Sequence, residues 1–252
     1  MLVLESKRFV EKDVIEIDNN LITYTVSGYG EPLILIHGLG TSIDSWSLNI
    51  KELSKFSRVY ALDLPGFGES TSNDHALTSE ELADIVAKFC EKLGITKAHF
   101  VGHSFGGEVC LWISVKYSKL VKSTILAAST GLCNHVPDIE KFKNLMRDGV
   151  REPIFFLPKL FKSYSKAGLC RMFLTMHKSK IRNLCNYVSK IKNPVLAIYG
   201  SRDPVIVPEE DKKALKKIKN KQVEVINSTH GLIFDNPKKF NSLVINFITA
   251  LD

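Results

Sequence analysis

The sequence predicts an α/β fold in which a mostly parallel sheet carries helices on both faces. Continuous apolar segments at 33–36 and 195–198 are typical of strands that are buried on both sides, and the segment at 121–128 is interpreted as a further, largely apolar strand. Segments with the apolar spacing of helices alternate with these strands, as a parallel sheet requires. A length of 252 residues, 44% of them hydrophobic, suits one globular domain or a core domain with one insertion.

The composition narrows the classes of function. A net charge of +7 is compatible with an anionic partner, but a lysine-rich solvated surface is its commoner cause. No nucleic-acid-binding motif accompanies the charge, so we expect no nucleic-acid partner. No apolar stretch reaches the roughly 18 residues of a membrane span, and the first residues lack the pattern of a signal peptide. We therefore expect no stable membrane insertion.

Cysteine usage indicates the compartment. The 5 cysteines are odd in number and form no Cys-x-x-Cys pair. This pattern favours free thiols in a reducing environment over a disulfide framework or a zinc site. We expect a cytoplasmic protein without a metal site.

The N-terminal segments alternate apolar and polar residues, which predicts a hairpin. Residues 14–17 and 21–27 flank Asn19-Asn20, a pair that tolerates the positive φ angles of a tight turn. We expect this hairpin to be antiparallel and to lie at the edge of the sheet.

Helices and strands then alternate along the chain. The sequence Thr78-Ser79-Glu80-Glu81 predicts a capping box at the start of a helix. The same alternation predicts helices at 44–54 and 209–220 and strands at 58–62, 98–101 and 223–226.

Ser104 lies in Gly102-His103-Ser104-Phe105-Gly106, between a predicted strand and an apolar segment that is compatible with a helix. A turn this sharp brings the strand and helix backbones close together, where only residues without Cβ fit. The turn presents the serine hydroxyl above the carboxyl end of the sheet. The helix N-terminus directs free N–H groups at the same place. These features suit a nucleophile that attacks a carbonyl group.

A second glycine-containing loop follows strand 33–36. In His37-Gly38-Leu39-Gly40 the glycines allow a tight turn and a close approach of the backbone to a ligand. We predict that the N–H groups of Leu39 and Phe105 form an oxyanion hole with two donors.

Two polar residues near these motifs are interpreted as structural. Asp63 begins a loop rich in glycine and proline after strand 58–62, and we expect it to stabilise that loop through its own hydrogen bonds. His37 is expected to support the loop that contains Leu39 rather than to exchange protons.

Three motifs resemble the α/β-hydrolase superfamily and occur in the order expected for it. They are His37-Gly38, Asp63-Leu64-Pro65-Gly66-Phe67-Gly68-Glu69-Ser70 and Gly102-His103-Ser104-Phe105-Gly106-Gly107. The resemblance covers nearly the whole chain and is strongest for small esterases, cofactor-free haloperoxidase-like enzymes and carbon–carbon bond hydrolases. It implies an α/β-hydrolase fold, a triad in the order serine, acid, histidine, and no cofactor.

The resemblance implies that Asp203 and His230 complete a catalytic triad with Ser104. Asp203 lies in a turn after the strand at 195–198, where the family places its acid. Of the 7 histidines, His230 is the one that follows a late strand after this acid. In such a triad His230 takes the Ser104 proton, while Asp203 orients the imidazole and stabilises its cation.

The chain contains one long insertion. Roughly 60 residues separate the strand at 121–128 from the strand at 195–198, far more than a crossover needs. The resemblance implies a helical cap, or lid, at 131–190, inserted after the sixth strand. Residues 1–130 and 191–252 would then form the core.

Aromatic residues and methionines are frequent in the insertion, among them Phe142 and Met146. They either line an apolar pocket for the substrate or pack the cap helices together. Together with Gly38 and His103, they are the residues that we expect to contact substrate. The insertion is also basic, which suits a solvated surface or a docking face for an acidic carrier or an anionic substrate.

The predicted function is hydrolysis of carboxylic esters of small to medium apolar acyl groups through an acyl-enzyme on Ser104. The expected partner is a small-molecule ester. A serine nucleophile disfavours haloalkane dehalogenases and epoxide hydrolases, which use aspartate. A carbon–carbon bond hydrolase with the same triad is the alternative, although its usual Gly-Pro-Gly-rich oxyanion loop is absent. A non-catalytic, receptor-like protein on the same scaffold is a further alternative.

Overall fold

One sheet organises the computed structural model, which describes residues 12–72, 76–132, 167–181, 184–206 and 208–251. Its strands are β1 (Lys12–Ile17), β2 (Asn20–Ser27), β3 (Pro32–Ile36), β4 (Arg58–Leu62), β5 (Ala98–His103), β6 (Val121–Ala127), β7 (Val195–Gly200) and β8 (Lys221–Ile226). Their order across the sheet is β1-β2-β4-β3-β5-β6-β7-β8.

Strands β3 to β8 are parallel, whereas β1 and β2 form an antiparallel edge. This confirms the predicted mostly parallel sheet. In the centre, Ile36 at the end of β3 lies opposite both Leu62 of β4 and Gly102 of β5. The carboxyl ends of the parallel strands therefore meet at one edge, where sheets of this kind place their ligand sites.

The predicted hairpin is present, but its turn lies one residue earlier than expected. Ile17 pairs with Asn20, and the turn consists of Asp18 (φ 48°) and Asn19 (φ 62°). Both central residues of this turn have positive φ, which Asp and Asn tolerate better than most residues. The Asn20 side chain donates to the Ile17 carbonyl and closes the hairpin.

Helices flank the sheet on both sides. They are α1 (Ile50–Leu53), α2 (Ser79–Lys92), α3 (Phe105–Lys116), α4 (Leu169–Ile181), α5 (Pro208–Leu215), α6 (Leu232–Asp235) and α7 (Pro237–Thr249), with 3₁₀ turns at Ile43–Trp46, Leu184–Asn186 and Val188–Lys190. The capping box before α2 is confirmed. Thr78 Oγ1 accepts from the Glu81 N–H, and the Glu81 carboxylate accepts from the Thr78 N–H.

Two predicted helices were wrong in extent. The helix expected at 44–54 is a 3₁₀ turn followed by the short α1, because buried Asn49 between them donates to the carbonyl of Ile233 and to Asn241. These bonds to distant residues fix the chain in a broken path. The helix expected at 209–220 ends at Leu215, beyond which the chain tightens into bonds between residues three apart.

Each face of the sheet buries its own apolar core. Successive residues of a strand point to opposite faces. Ile34 of β3 belongs to the core that contains Phe89 of α2, while Leu35 belongs to the core that contains Phe240 of α7. The predicted arrangement of helices on both faces is confirmed.

The described residues include part of the predicted cap. Between β6, the sixth strand as predicted, and β7, the structure describes α4 and two 3₁₀ turns. The Ser79 N–H at the start of α2 donates to Ser179 Oγ of α4 at 2.9 Å, which attaches α4 to the core. Residues 133–166, with Phe142 and Met146, lie outside the described residues, so the cap and its boundaries remain predictions.

Two glycines permit close contact between β3, β5 and α3. A Cβ atom on Gly102 would lie 2.3 Å from the carbonyl oxygen of Gly106, and a Cβ atom on Gly106 would lie 2.3 Å from the carbonyl oxygen of Ile36. Close-packed interiors leave no room for such an overlap with backbone atoms. The turn before α3 therefore requires glycine at both positions, as the sequence indicated.

We expect Gly102→Ala to lower the free energy of unfolding by about 3 kcal/mol, because the added methyl group meets backbone atoms that have no free space behind them. Gly94→Ala is the control, since Gly94 has a φ of 69° but no atom within 4 Å of an added Cβ. Its cost is conformational, about 1 kcal/mol. Urea unfolding measures the free energy of unfolding of both variants. An equal loss of stability in the two would contradict the packing argument.

Candidate active site

Ser104 lies at the apex of the turn between β5 and α3. Its φ of 52° and ψ of −119° form an uncommon conformation for a residue with a side chain. Three backbone bonds hold it there: its N–H donates to Ala127 at 2.9 Å, and its carbonyl accepts from Gly107 at 2.9 Å and Thr130 at 3.1 Å. The hydroxyl group is thereby held at the carboxyl edge of the sheet, next to the N-terminus of α3.

The loop after β8 brings His230 to this hydroxyl group. His230 Nε2 lies 2.9 Å from Ser104 Oγ, and His230 Nδ1 lies 2.9 Å from Asp203 Oδ2. A carboxylate only accepts hydrogen bonds, so Nδ1 carries the proton and Nε2 accepts from the serine hydroxyl. The three residues named from the sequence therefore form one hydrogen-bonded chain, contributed by the loops after β5, β7 and β8.

The turn after β7 holds Asp203 in this chain. Its Oδ1 accepts from the N–H of Val205 at 2.7 Å and of Ile206 at 3.0 Å. Burial acts to raise the pKa of this carboxyl group, but the charge and hydrogen bond of His230 and the two backbone bonds outweigh burial and lower the pKa. Asp203 is therefore a carboxylate at neutral pH.

A second carboxylate, Asp235 at the end of α6, organises the loop that carries His230. Its Oδ2 accepts from Ser228 Oγ and from the Thr229 N–H, both at 2.9 Å, and lies 3.7 Å from Nη2 of Arg202. Asp235 was not among the site residues predicted from the sequence. The sequence signal for Asp235 is an acidic residue shortly after the histidine. The single turn of α6 brings its carboxylate back to the loop residues that precede His230.

The predicted oxyanion loop borders the serine. A Cβ atom on Gly38 would lie 3.4 Å from Ser104 Cβ, which places the Gly38 backbone beside the nucleophile. Leu39 is buried in the same loop. Phe105 is the first residue of α3, so no carbonyl group of that helix accepts from its N–H. Both predicted donors thus belong to segments that border Ser104, and their role in an oxyanion hole stays a prediction.

His37 and Asp63 stabilise their loops, in agreement with the sequence interpretation. His37 Nδ1 donates to the Gly38 carbonyl at 2.8 Å, and Nε2 accepts from the Leu64 N–H at 3.0 Å. Burial lowers the pKa of His37, which keeps the ring neutral as this bonding requires. Asp63 Oδ1 accepts from the Ile43 N–H at 2.7 Å.

The four predicted substrate contacts have different locations. Gly38 borders Ser104, as described above. His103 is buried, and its Nε2 lies 3.0 Å from the carbonyl oxygen of His230, so the ring packs against the histidine loop. Phe142 and Met146 lie outside the described residues. Contact of these residues with substrate stays a prediction.

The described residues contain no group of three or more His, Cys, Asp or Glu residues placed to hold a metal ion. No helix among them combines the length and the apolar character needed to cross a membrane. Cys90 and Cys110 are buried free thiols, and burial raises the pKa of Cys90 to about 12. Cys133 lies outside the described residues.

A model of the family described as alpha/beta hydrolase fold matches residues 31–147. The abhydrolase domain-containing protein abhd-5.2 of Caenorhabditis elegans is 38% identical over 111 residues, 42% of this chain and 25% of that protein. This chain spans only 25% to 31% of the length of the first matched relatives.

Longer matches have lower identity. The 2-hydroxy-6-oxo-6-(2'-aminophenyl)hexa-2,4-dienoic acid hydrolase of Metapseudomonas resinovorans is 25% identical, over 90% of this chain and 87% of that protein. Monoacylglycerol lipase ABHD6 of Homo sapiens is also 25% identical, over 89% of this chain and 77% of that protein. The similarity to these two proteins therefore extends over most of both chains.

Solved structures share the fold. A meta-cleavage product hydrolase from Pseudomonas fluorescens IP01 matches with a TM-score of 0.81 and 25% identity, covering 95% of this chain and 98% of that chain. A thermophilic esterase from Thermogutta terrifontis matches with a TM-score of 0.82 and 21% identity, covering 96% and 99%. This chain and the two solved structures therefore share one arrangement of strands and helices.

We expect Asp203→Asn to lower the free energy of unfolding at neutral pH. The folded-state pKa of Asp203 is lowered, so its contribution is present above the unfolded value of about 4 and is lost as the pH falls through the folded value. When urea unfolding is measured from about pH 7 down to about pH 3, the free energies of unfolding of the parent and the variant should converge. Asp13→Asn, at an exposed carboxyl group, is the control, and a difference that grows towards low pH would contradict the expectation.

Proposed function

We propose that this chain, which belongs to the α/β-hydrolase superfamily, is a serine hydrolase that cleaves carboxylic esters of small to medium apolar acyl groups. The observation that carries the proposal is the chain of hydrogen bonds from Ser104 through His230 to Asp203, with 2.9 Å at each link. A serine on a strained turn, beside a helix N-terminus and a paired histidine, has the arrangement of an activated nucleophile.

In the acylation half-reaction, Ser104 Oγ attacks the carbonyl carbon of the ester while its proton passes to His230 Nε2. The carbonyl oxygen becomes an oxyanion, which accepts hydrogen bonds from the N–H groups of Leu39 and Phe105. The intermediate collapses, the bond to the alcohol oxygen breaks, and the His230 imidazolium returns the proton to that oxygen. The alcohol leaves and an acyl-enzyme on Ser104 remains.

In the deacylation half-reaction, water takes the place of the alcohol. His230 Nε2 accepts a proton from the water as the water oxygen attacks the acyl carbon, and the same N–H groups donate hydrogen bonds to the second oxyanion. The bond to Ser104 Oγ breaks, Oγ regains its proton from His230, and the carboxylic acid is released. The reaction consumes only the ester and one water molecule.

Asp203 contributes to both half-reactions without touching substrate. Its bond to His230 Nδ1 keeps the proton on that nitrogen, so Nε2 is the free acceptor at the start of each half-reaction. Its negative charge stabilises the imidazolium that forms twice in each cycle. Because its side chain is fully buried, water weakens this charge interaction little.

The relatives support an ester substrate only in outline. Monoacylglycerol lipase ABHD6, whose name is that of an ester-cleaving protein, is similar to this chain in sequence, and the Thermogutta terrifontis esterase shares its fold. The apolar acyl group is inferred from the aromatic residues and methionines of the predicted cap, of which Met172 is buried within the described part.

A second candidate is hydrolysis of a carbon–carbon bond in a vinylogous diketone. Two matches that cover most of the chain are to hydrolases of this kind, from Metapseudomonas resinovorans and Pseudomonas fluorescens IP01. The same serine, histidine and aspartate would serve that reaction. The sequence Gly38-Leu39-Gly40 lacks the Gly-Pro-Gly-rich loop usual in that group, which favours the ester reaction.

We expect the parent protein to hydrolyse p-nitrophenyl esters and Ser104→Ala to lose at least about 1,000-fold in kcat, because the nucleophile is removed. Ser118→Ala is the matched control, since Ser118 is exposed beyond the far end of α3. It should retain parental activity. A fluorophosphonate probe followed by mass spectrometry should label Ser104 in the parent and in the control. Unchanged turnover in Ser104→Ala would refute the proposal.

A series of acyl lengths defines the specificity, and two substrate classes separate the candidates. A maximum at short or medium acyl chains supports the esterase proposal. Turnover of a vinylogous diketone with no turnover of esters would replace it with the carbon–carbon hydrolase. A folded protein that leaves both classes and the probe unreacted, yet binds such ligands, would indicate the receptor-like alternative.

A further inference from the structure

We propose that His103 is a positioning residue: its ring clamps the carbonyl group of His230 and so holds the general base between Ser104 and Asp203. The inference rests on the proposed function and deepens it. It assigns His103 a different part from the substrate contact expected from the sequence, and the two roles have different kinetic consequences.

The contact itself is direct. His103 Nε2 lies 3.0 Å from the carbonyl oxygen of His230, which makes Nε2–H the donor because a carbonyl group only accepts. The two imidazole rings also pack together, with centroids 5.3 Å apart, and the Phe234 ring contacts His103 edge to face, with centroids 6.2 Å apart. His103 therefore fixes both the backbone and the ring environment of His230.

The His230 carbonyl lies outside the helix that follows. In α6 the first carbonyl that accepts helical bonds is that of Gly231, which receives the N–H groups of Phe234 and Asp235. The carbonyl of the buried residue His230 takes its donor from the His103 side chain instead. Buried carbonyl groups need a hydrogen-bond donor, and the His103 ring supplies one here, which restrains the loop.

The clamp complements the bonds that Asp235 makes on the other side of the histidine. Asp235 holds Ser228 and Thr229, which precede His230. His103 holds the carbonyl of His230 itself. With both in place the backbone is fixed on either side of the Cα atom from which the imidazole projects, and the ring has little freedom to leave the line between Oγ and Oδ2.

The position of His103 in the chain strengthens the coupling. It is the last residue of β5 and immediately precedes Ser104, so one rigid segment carries both the nucleophile and the clamp on the general base. Its backbone lies opposite Ala127 in the neighbouring strand β6. The end of β5 therefore sets the distance between Ser104 Oγ and His230 Nε2, which would otherwise depend on two independent loops.

Burial also keeps this ring uncharged. Desolvation, with a contribution from the neighbouring His230, lowers the pKa of His103 to about 3. A neutral ring packs beside the His230 imidazolium without adding a second positive charge, and it retains the tautomer with a proton on Nε2. The hydrogen bond therefore persists over the whole range of pH in which His230 acts.

Three substitutions of His103 test the clamp. His103→Gln keeps an N–H donor near the position of Nε2, whereas His103→Asn is too short to reach the carbonyl group and His103→Leu has no donor. We expect the Asn and Leu variants to lose about 100-fold in kcat on p-nitrophenyl esters with KM nearly unchanged, since a displacement of about 1 Å at the reacting groups costs this much. His103→Gln should recover most of the loss.

The rate of Ser104 labelling by a fluorophosphonate probe supplies an independent readout. It should fall in parallel with kcat, because it depends on His230 but not on ester binding. Urea unfolding shows which variants are folded, and if Leu or Asn fails to fold, the other is compared with Gln.

Each other outcome overturns the inference. A raised KM with parental kcat would make His103 a substrate contact. Parental kinetics in Asn or Leu, or a Gln variant as slow as Asn, would show that the hydrogen bond does not position His230. A parent protein that neither hydrolyses esters nor reacts with the probe would refute the proposed function first, and the clamp with it.

Discussion

The close contact of three backbone segments at the carboxyl edge of the sheet is the constraint on which the site depends. The end of β3, the end of β5 and the first turn of α3 approach so closely that Gly102 and Gly106 have no room for a side chain. The chain turns between β5 and α3 with Ser104 at a positive φ. Core packing on both faces of the sheet therefore stabilises a strained residue that would not adopt this conformation alone.

The parallel topology supplies the partners of this serine. Strands β7 and β8 are neighbours, so the loops that follow them leave the sheet side by side. The Arg202 N–H donates to the Ser228 carbonyl at 2.9 Å and ties the acid loop to the histidine loop. Asp235 adds two bonds within the histidine loop. The acid and the base are thus held by the same network and keep a common geometry.

Local sequence was most informative where one residue type has a single physical use. Gly102 and Gly106 were predictable because a tight turn excludes Cβ, and the capping box at Thr78 because its side chain satisfies free N–H groups. The helix expected at 44–54 failed for the opposite reason. Its break depends on Asn49 bonding to Ile233 and Asn241, residues far away in the chain. The spacing of apolar residues along the sequence gives no information about such distant partners.

The same distinction applies to the candidate site. Local patterns were sufficient to name Ser104 and the parallel sheet that carries it, and the resemblance to the α/β-hydrolase superfamily, with its order of motifs, was needed to name Asp203 and His230. The bond from His103 to the His230 carbonyl and the bonds of Asp235 were not predictable in this way. A buried imidazole or carboxylate has several acceptors or donors within its reach. Which of them it bonds to depends on how distant segments pack, and only the folded chain brings those segments together.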